Sequence, residues 1–149
     1  MAFYSGSNGQ LSINGQKAAR VSNWSINSSL SVLDTTSLSD TDRTITAGVR
    51  STGGSCALFY YSDGLTGENS ASVLINKLIK AKIAGASEGQ AAEAETVQIK
   101  LKVDDGSIKG KYITGDVYLT SVQMSMAVGE VLSANCSFEF NGAPVEVLV

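Results

Sequence analysis

The chain has 149 residues, of which 43% are hydrophobic and 17% are charged, a composition typical of one globular domain. It contains no histidine, which excludes the catalytic and zinc sites that depend on an imidazole. The net charge of −3 leaves no positive excess for binding the phosphate backbone of a nucleic acid. No catalytic, nucleotide-binding or calcium-binding pattern is matched, so we expect a protein that is not an enzyme and has no cofactor or metal.

The N-terminal segment has neither the basic region nor the apolar region of a signal peptide. No later stretch approaches the roughly 20 apolar residues of a membrane span. We therefore expect a protein that is made and kept in a cytoplasm and has no membrane partner. Residues 1–10, rich in Gly and Ser, are predicted to form a flexible N-terminal arm.

A long strand is predicted in the first half of the chain. Trp24, Ile26, Leu30 and Val32 share one parity and alternate with polar residues. The following stretch, 34–43, is too polar for a core and too long for a tight turn, so it is predicted to be an exposed loop.

A second strand is predicted over Ser55–Tyr61, where apolar residues occupy both parities, as in a strand covered on both faces. Cys56 lies in this stretch, and Cys136 lies in a later alternating stretch. We interpret both cysteines as buried and reduced, with a disulfide or a reactive thiol as the alternatives.

One segment changes period and predicts the flanking helix of the fold, over about residues 69–84. Its apolar residues recur at intervals of three and four, which is the spacing of one helix face. They are Ala71, Leu74, Ile75, Leu78, Ile79 and Ile83.

The C-terminal half returns to period two. Residues 97–103 and 132–140 each alternate apolar and polar side chains, which predicts two strands with one wet face each. Between them, in segment 113–128, the apolar residues occupy odd positions before Ser121 and even positions after it. This change predicts a bulge or bend near Ser121. Residues 127–130 are predicted to form the hairpin turn.

Together these elements predict a single, mainly β domain spanning 1–149. The strands are accompanied by one helix. Charge is uneven along the sequence, because residues 112–149 contain four acidic residues and no Lys or Arg.

Two stretches carry a resemblance to a known family. The first is Val-Ser-Asn-Trp-Ser-Ile at 21–26 with Leu-Asp-Thr-Thr-Ser-Leu-Ser-Asp at 33–40, followed by Arg43 and Gly-Val-Arg-Ser at 48–51. The second is the closing hairpin, 115–131. In sequence and order these stretches resemble the tail tube, or major tail, proteins of long-tailed bacteriophages, and the resemblance covers about residues 18–142.

The resemblance implies a tail-tube fold, which is a β-sandwich or half-barrel of antiparallel strands with one flanking helix. It also implies six-membered rings that stack into a hollow conduit for DNA ejection. The chain would then be part of the virion tail, assembled in the host cytoplasm. It also implies partners: other copies of the chain, a tail-tip or initiator protein, a tape-measure protein and a tail terminator. Double-stranded DNA would pass through without specific binding.

Two groups of candidate site residues follow from this resemblance. The loop would contact a neighbouring subunit or the next ring, and its candidate residues are Asp34, Thr35, Thr36, Ser37, Leu38, Asp40 and Arg43. Asp116 and Glu139, in the acidic C-terminal part, would face the channel and repel the phosphates of DNA.

Two alternatives remain open at this point. The same fold could serve as the inner tube of a contractile tail or injection system. A carbohydrate-binding or adhesive β-sandwich, with exposed aromatic side chains, belongs to a different class.

Overall fold

The structure, a computed structural model, describes residues 3–18, 21–60, 68–69, 71–85 and 93–149. Within these ranges the chain forms nine strands, one α-helix and a short 3-10 turn at Gly6–Asn8. The strands and the helix are β1 (Gly9–Ile13), β2 (Gln16–Ala18), β3 (Val21–Asp34), β4 (Ile45–Phe59), β5 (Glu68–Asn69), α1 (Ala71–Leu78), β6 (Val97–Val103), β7 (Lys111–Ser125), β8 (Ser133–Phe140) and β9 (Glu146–Leu148).

The nine strands belong to one sheet, and eight of them follow one another in the order β3-β4-β8-β7-β6-β1-β2-β5. β9 pairs with β7 over Tyr112–Thr114, beyond the part of β7 that pairs with β8. Every pair is antiparallel except β2 with β5. The predicted class, antiparallel strands with one flanking helix, is confirmed.

The sheet curls into a half-barrel around one core. β1 and β3 are separated by four strands in the sheet, yet a Cβ atom placed on Gly9 of β1 would lie 3.2 Å from Nε1 of Trp24 on β3. The helix closes the concave side with Leu74 and Ile75, which belong to the core cluster. The other buried members of the cluster are Leu11, Ile13, Cys56, Leu58, Val97, Ile99, Leu101, Val117, Leu119, Ala134, Cys136, Phe138 and Phe140.

The alternation predicted for β6 and β8 is confirmed, because alternate side chains of both strands are buried in this core. The predicted parity switch is also confirmed: the pairing of β7 with β8 shifts register between Leu119 and Ser121. Leu119 is buried before the shift and Val122 packs against the core after it, so the bulge keeps apolar residues on the inner face of both halves of β7. At the hairpin, Glu130 N–H donates to the carbonyl of Ala127.

The prediction that strand 55–61 is covered on both faces is wrong for the residues described. Cys56 and Leu58 are buried, but Phe59 and Tyr60 are exposed. Phe59 belongs to the outer face of β4, which lacks a covering layer among the described residues, and Tyr60 lies just beyond the end of β4. Tyr61 lies outside the described residues.

The helix is shorter than the predicted 69–84. At its start, Asn69 pairs with Ala18 of β2, so its backbone is extended rather than helical. At its end, Ile79 and Ile83 are exposed, so the apolar stripe is buried only as far as Leu78. A short helix without a buried face gains too little packing energy to continue. No helix among the described residues is long and apolar enough to cross a membrane.

The N-terminal boundary also differs from the prediction. The arm predicted over 1–10 ends earlier, because Gly9 and Gln10 already pair with Val103 and Lys102 of β6. The buried side chains of Leu11 and Ile13 hold β1 in this register, since a slip by one residue would turn both toward solvent.

Candidate functional site

A two-stranded arm projects from the sheet. β4 pairs with β8 only over Gly53–Phe59, whereas residues 45–52 of β4 pair with β3 alone. We define the arm as residues 27–52, comprising the outer half of β3, the loop 35–44 and the outer half of β4. It lacks the central strands that bury the rest of the sheet, so its side chains depend on each other or on contacts outside the chain.

Hydroxyl pairs hold the two strands of the arm together. Ser29 Oγ lies 3.0 Å from Ser51 Oγ, and Ser28 Oγ lies 3.0 Å from Thr52 Oγ1. Ser31 Oγ accepts a hydrogen bond from the backbone N–H of Val49 at 2.9 Å. Cross-strand pairs of this kind contribute roughly 0.2–1 kcal/mol each, which allows the ribbon to keep its shape without a core.

The arm is polar in composition but carries large apolar side chains in solvent. These are Leu30, Val32, Leu33, Leu38, Ile45 and Val49. Leu38, at the tip of the loop, is fully exposed. A cluster of exposed apolar side chains on a projecting element marks an interaction surface.

The loop is an organised structure rather than an open link. Asp34 Oδ1 accepts the backbone N–H of Thr36 at 2.9 Å, and Asp34 Oδ2 lies 3.4 Å from Arg43 Nε. The bonds from Thr36, with a smaller effect from Arg43, lower the pKa of the Asp34 carboxyl below its usual value. Thr35 N–H donates to the carbonyl of Thr44, which closes the base of the loop.

The tip of the loop has its own turn. Asp40 Oδ2 accepts the backbone N–H of Ser37 at 2.7 Å, and the Asp40 N–H donates back to the Ser37 carbonyl. The two aspartates and Arg43 therefore have partners within the loop, and Leu38 is the side chain that the tip presents outward.

An open groove of about 640 Å³ lies at the base of the arm. Ile26 and Arg50 line one side, and Ile113, Pro144 and Val147 line the other. It extends the apolar surface of the arm onto the body of the domain. Sequence reasoning missed it because its walls come from four separate segments, and no local pattern links them.

The outer face of the sheet is polar across all its central strands. We call the outward side chains of β3, β4, β8, β7, β6 and β1 the polar face. They include Ser25, Asn27, Ser29, Ser51, Ser55, Asn135, Ser137, Glu139, Asp116, Tyr118, Gln123, Gln98, Lys100, Lys102, Gln10 and Ser12. Hydroxyl and amide groups dominate this face, and charged groups are few.

The structure brings Asp116 and Glu139 together on the polar face. Glu139 is opposite Tyr118 on β7, and Asp116 is two residues before Tyr118, so the two exposed acids are diagonal neighbours. On the other side of β7, Gln98 of β6 is directly opposite Asp116, and Lys100 of β6 is a diagonal neighbour of Asp116. Diagonal neighbours lie about 7–8 Å apart.

The polar face therefore contains both signs of charge. Lys100 Nζ lies 4.1 Å from the centroid of the Tyr112 ring, a cation–π contact. Tyr112 Oη donates to Glu146 Oε1 at 2.6 Å, and this bond raises the pKa of the Tyr112 hydroxyl. The acidic C-terminal part of the sequence is thus interleaved in space with lysines of β6, which the linear charge distribution did not indicate.

The described ranges contain few groups of charged side chains in contact. There, no three His, Cys, Asp or Glu side chains are grouped so that they could hold a metal ion. The ion pairs of that part of the chain are Arg43 with Asp34, and Lys77 and Lys80 with Glu95, beside α1.

Comparison with known proteins identifies the fold. No family model matches the chain, and no curated protein sequence matches it. The tail of an empty gene transfer agent particle, in a structure with C6 symmetry, matches with a TM-score of 0.66 at 19% identity, over 99% of this chain and 100% of that one. The SPP1 tail tube matches with a TM-score of 0.67 at 12% identity, over 95% of this chain and 78% of that one.

A sheath-tube complex of an extracellular contractile injection system is also similar, with a TM-score of 0.66 at 10% identity over 99% of this chain and 93% of that one. These likenesses span almost the whole chain. They confirm the tail-tube fold that the resemblance implied.

Proposed function

We propose that this chain is the subunit of a tail tube, in which six copies form a ring and the rings stack into a hollow conduit for DNA. The observation that carries the proposal is the arm, a two-stranded ribbon with large apolar side chains in solvent on a domain of tail-tube fold. An isolated subunit gains nothing from such a ribbon. Its role is to bind other copies.

The arm supplies the attractive part of the assembly. A large apolar side chain contributes about 1.5–3 kcal/mol when it passes from solvent to full burial. Because the arm and the surface that it contacts are different patches, the interface is heterologous. Repeating such a contact gives a ring of fixed size when the rotation between neighbouring subunits brings the last copy back to the first. The C6 symmetry of the similar gene transfer agent tail supports a ring of six.

The loop is proposed to contact a neighbouring subunit or the next ring. Asp34, Thr35, Thr36, Ser37, Asp40 and Arg43 build its scaffold, and Leu38 is its contact residue. The hydrogen bonds within the loop favour this division of labour, since a loop that is ordered beforehand loses less entropy when it binds.

The polar face is proposed to line the bore. Its hydroxyl and amide groups are neutral, and Asp116 and Glu139 repel phosphates, so DNA slides without specific binding. Lys100 and Lys102 lie on the same face and offset this repulsion, and the contact of Lys100 with Tyr112 holds its ammonium group against the sheet.

The remaining expectations belong to the same proposal. The protein is a structural component without catalytic activity, it is assembled in the host cytoplasm, and it resides in the virion tail. Its partners besides itself are a tail-tip or initiator protein, a tape-measure protein and a tail terminator.

The inner tube of a contractile injection system is the second candidate. It is favoured by the likeness to the sheath-tube complex, whose TM-score equals that of the gene transfer agent tail. Electron microscopy of the native particle separates the two candidates, because a contractile system shows a sheath around the tube. Phe59 and Tyr60 do expose their rings, but the carbohydrate-binding alternative has less support, because the similar solved structures are tubes.

The test is negative-stain electron microscopy with light scattering on the purified protein at rising concentration. We expect hollow tubes or stacked six-membered rings. A variant with residues 35–42 replaced by a Gly/Ser linker should remain folded by circular dichroism but should not polymerise. The matched control replaces residues 105–108, an exposed turn outside the arm, and should assemble normally.

Two results would count against the proposal. One is a loop variant that forms normal tubes. The other is a wild-type protein that stays monomeric even when preformed tail-tip complexes are added as initiators.

A further inference from the structure

Two free cysteines face each other across the centre of the sheet. Cys56 of β4 and Cys136 of β8 are directly opposite in the register, although they are 80 positions apart in the sequence. Their exposed fractions are 2% and 1%, and both belong to the core cluster. Neither cysteine has a role in the proposed tube.

The distance between such residues suits a disulfide. Directly opposite residues in an antiparallel pair have Cβ atoms about 4.5–5.5 Å apart. A disulfide needs about 3.5–4.5 Å between Cβ atoms and 4.4–6.8 Å between Cα atoms. Bond formation therefore requires the two Cβ atoms to approach by roughly 1 Å.

The thiols also interact with each other. Hydrogen bonding between the two side chains lowers the pKa of the Cys136 thiol and raises that of Cys56. Because the thiolate is the nucleophile in disulfide exchange, Cys136 is the thiol that attacks first.

We propose that Cys56 and Cys136 form a cross-strand disulfide when the protein meets a small-molecule disulfide, such as oxidised glutathione. The Cys136 thiolate attacks one sulfur of the small molecule, breaks its S–S bond and releases one thiol. The Cys56 thiolate then attacks the mixed disulfide and releases the second thiol. The two cysteines are oxidised by two electrons and lose two protons, and the small disulfide is reduced to two thiols.

The position of the pair gives the bond a mechanical consequence. Cys56 lies on β4, the strand that continues into the arm. It is directly opposite Trp24 of β3 on one side and Cys136 of β8 on the other. A disulfide would fasten that strand to the middle of the sheet. In a reducing compartment the pair stays as thiols, and in an oxidising one the base of the arm becomes covalently fixed.

The test is to equilibrate the full chain in glutathione redox buffers, once without denaturant and once with it. Equilibrium is approached from the reduced and from the oxidised protein, so that slow access to buried thiols does not decide the result. Free thiols are then alkylated, and the loss of two hydrogens and the Cys56–Cys136 peptide pair are measured by mass spectrometry. Cys56→Ser and Cys136→Ser are the controls, and neither should show an intramolecular bond.

We expect the native protein to form the disulfide at a ratio of reduced to oxidised glutathione at least tenfold higher than the denatured chain requires, because the fold holds the thiols together. The proposal is overturned if the native protein needs the same or a more oxidising buffer than the denatured chain. It is also overturned if the only disulfides found join separate chains or bind glutathione.

Discussion

Substitution of Leu38 tests whether the arm acts in assembly, because it leaves the folding of the subunit unchanged. Its side chain is fully exposed in the isolated subunit, so Leu38→Ala should change the free energy of unfolding by less than about 0.5 kcal/mol. If the tip is buried in the tube, the substitution removes three carbons from the interface. At about 0.8 kcal/mol for each, assembly weakens by roughly 2.4 kcal/mol for each subunit added.

This loss corresponds to a rise of about fifty-fold in the critical concentration for polymerisation, since 1.4 kcal/mol changes an equilibrium constant tenfold. Light scattering across a concentration series measures the critical concentration, and thermal unfolding of the monomer measures stability. Ile108→Ala is the matched control, because Ile108 is equally exposed but lies in the turn between β6 and β7. A Leu38→Ala protein that polymerises at the wild-type concentration would refute the reasoning.

Three further outcomes are expected. Gly54→Ala should lower the unfolding free energy by about 3 kcal/mol, since its Cβ would collide with the Ser25 carbonyl and lie 2.9 Å from Phe138 Cζ. Gly6→Ala is the control, and its melting temperature should not change, because the space around that Cβ is open. The folded-state pKa of Asp34 is lowered, so its contribution to loop order is present above the ordinary aspartate pKa and is lost as pH falls through the folded value. The amide resonance of Thr36 should report this transition, and Asp34→Asn should abolish it. Replacing Asp116 and Glu139 together by lysine should slow DNA ejection from assembled particles and leave tube length unchanged; an unchanged ejection rate would exclude these acids from the bore.

Several elements were predictable because their signals are local. Side chains alternate across a strand whatever surrounds it, so the period of β6 and β8 was visible in the sequence. The parity change near Ser121 located the bulge for the same reason. The loop after Asp34 was also predictable, since its polar run has no apolar period to bury.

Other features depend on which elements meet. The stripe of α1 continues to Ile83 in the sequence, but the core ends at Leu78, and only packing shows this. The apolar residues of β4 did not reveal that one of its faces has no covering layer. Lys100 is far from Asp116 in the sequence and becomes its neighbour only through the pairing of β6 with β7.

The sequence by itself determined the mainly β class, the long strands, the exposed loop and, through its resemblance to a family, the tail-tube fold. Tertiary structure alone decided that the loop crowns a projecting arm, that the outer sheet face is polar and mixed in charge, and that Cys56 meets Cys136. The physical reason is that periodicity is a property of one segment. Register, curvature and exposure arise only when segments far apart in the chain bury their apolar faces against one another.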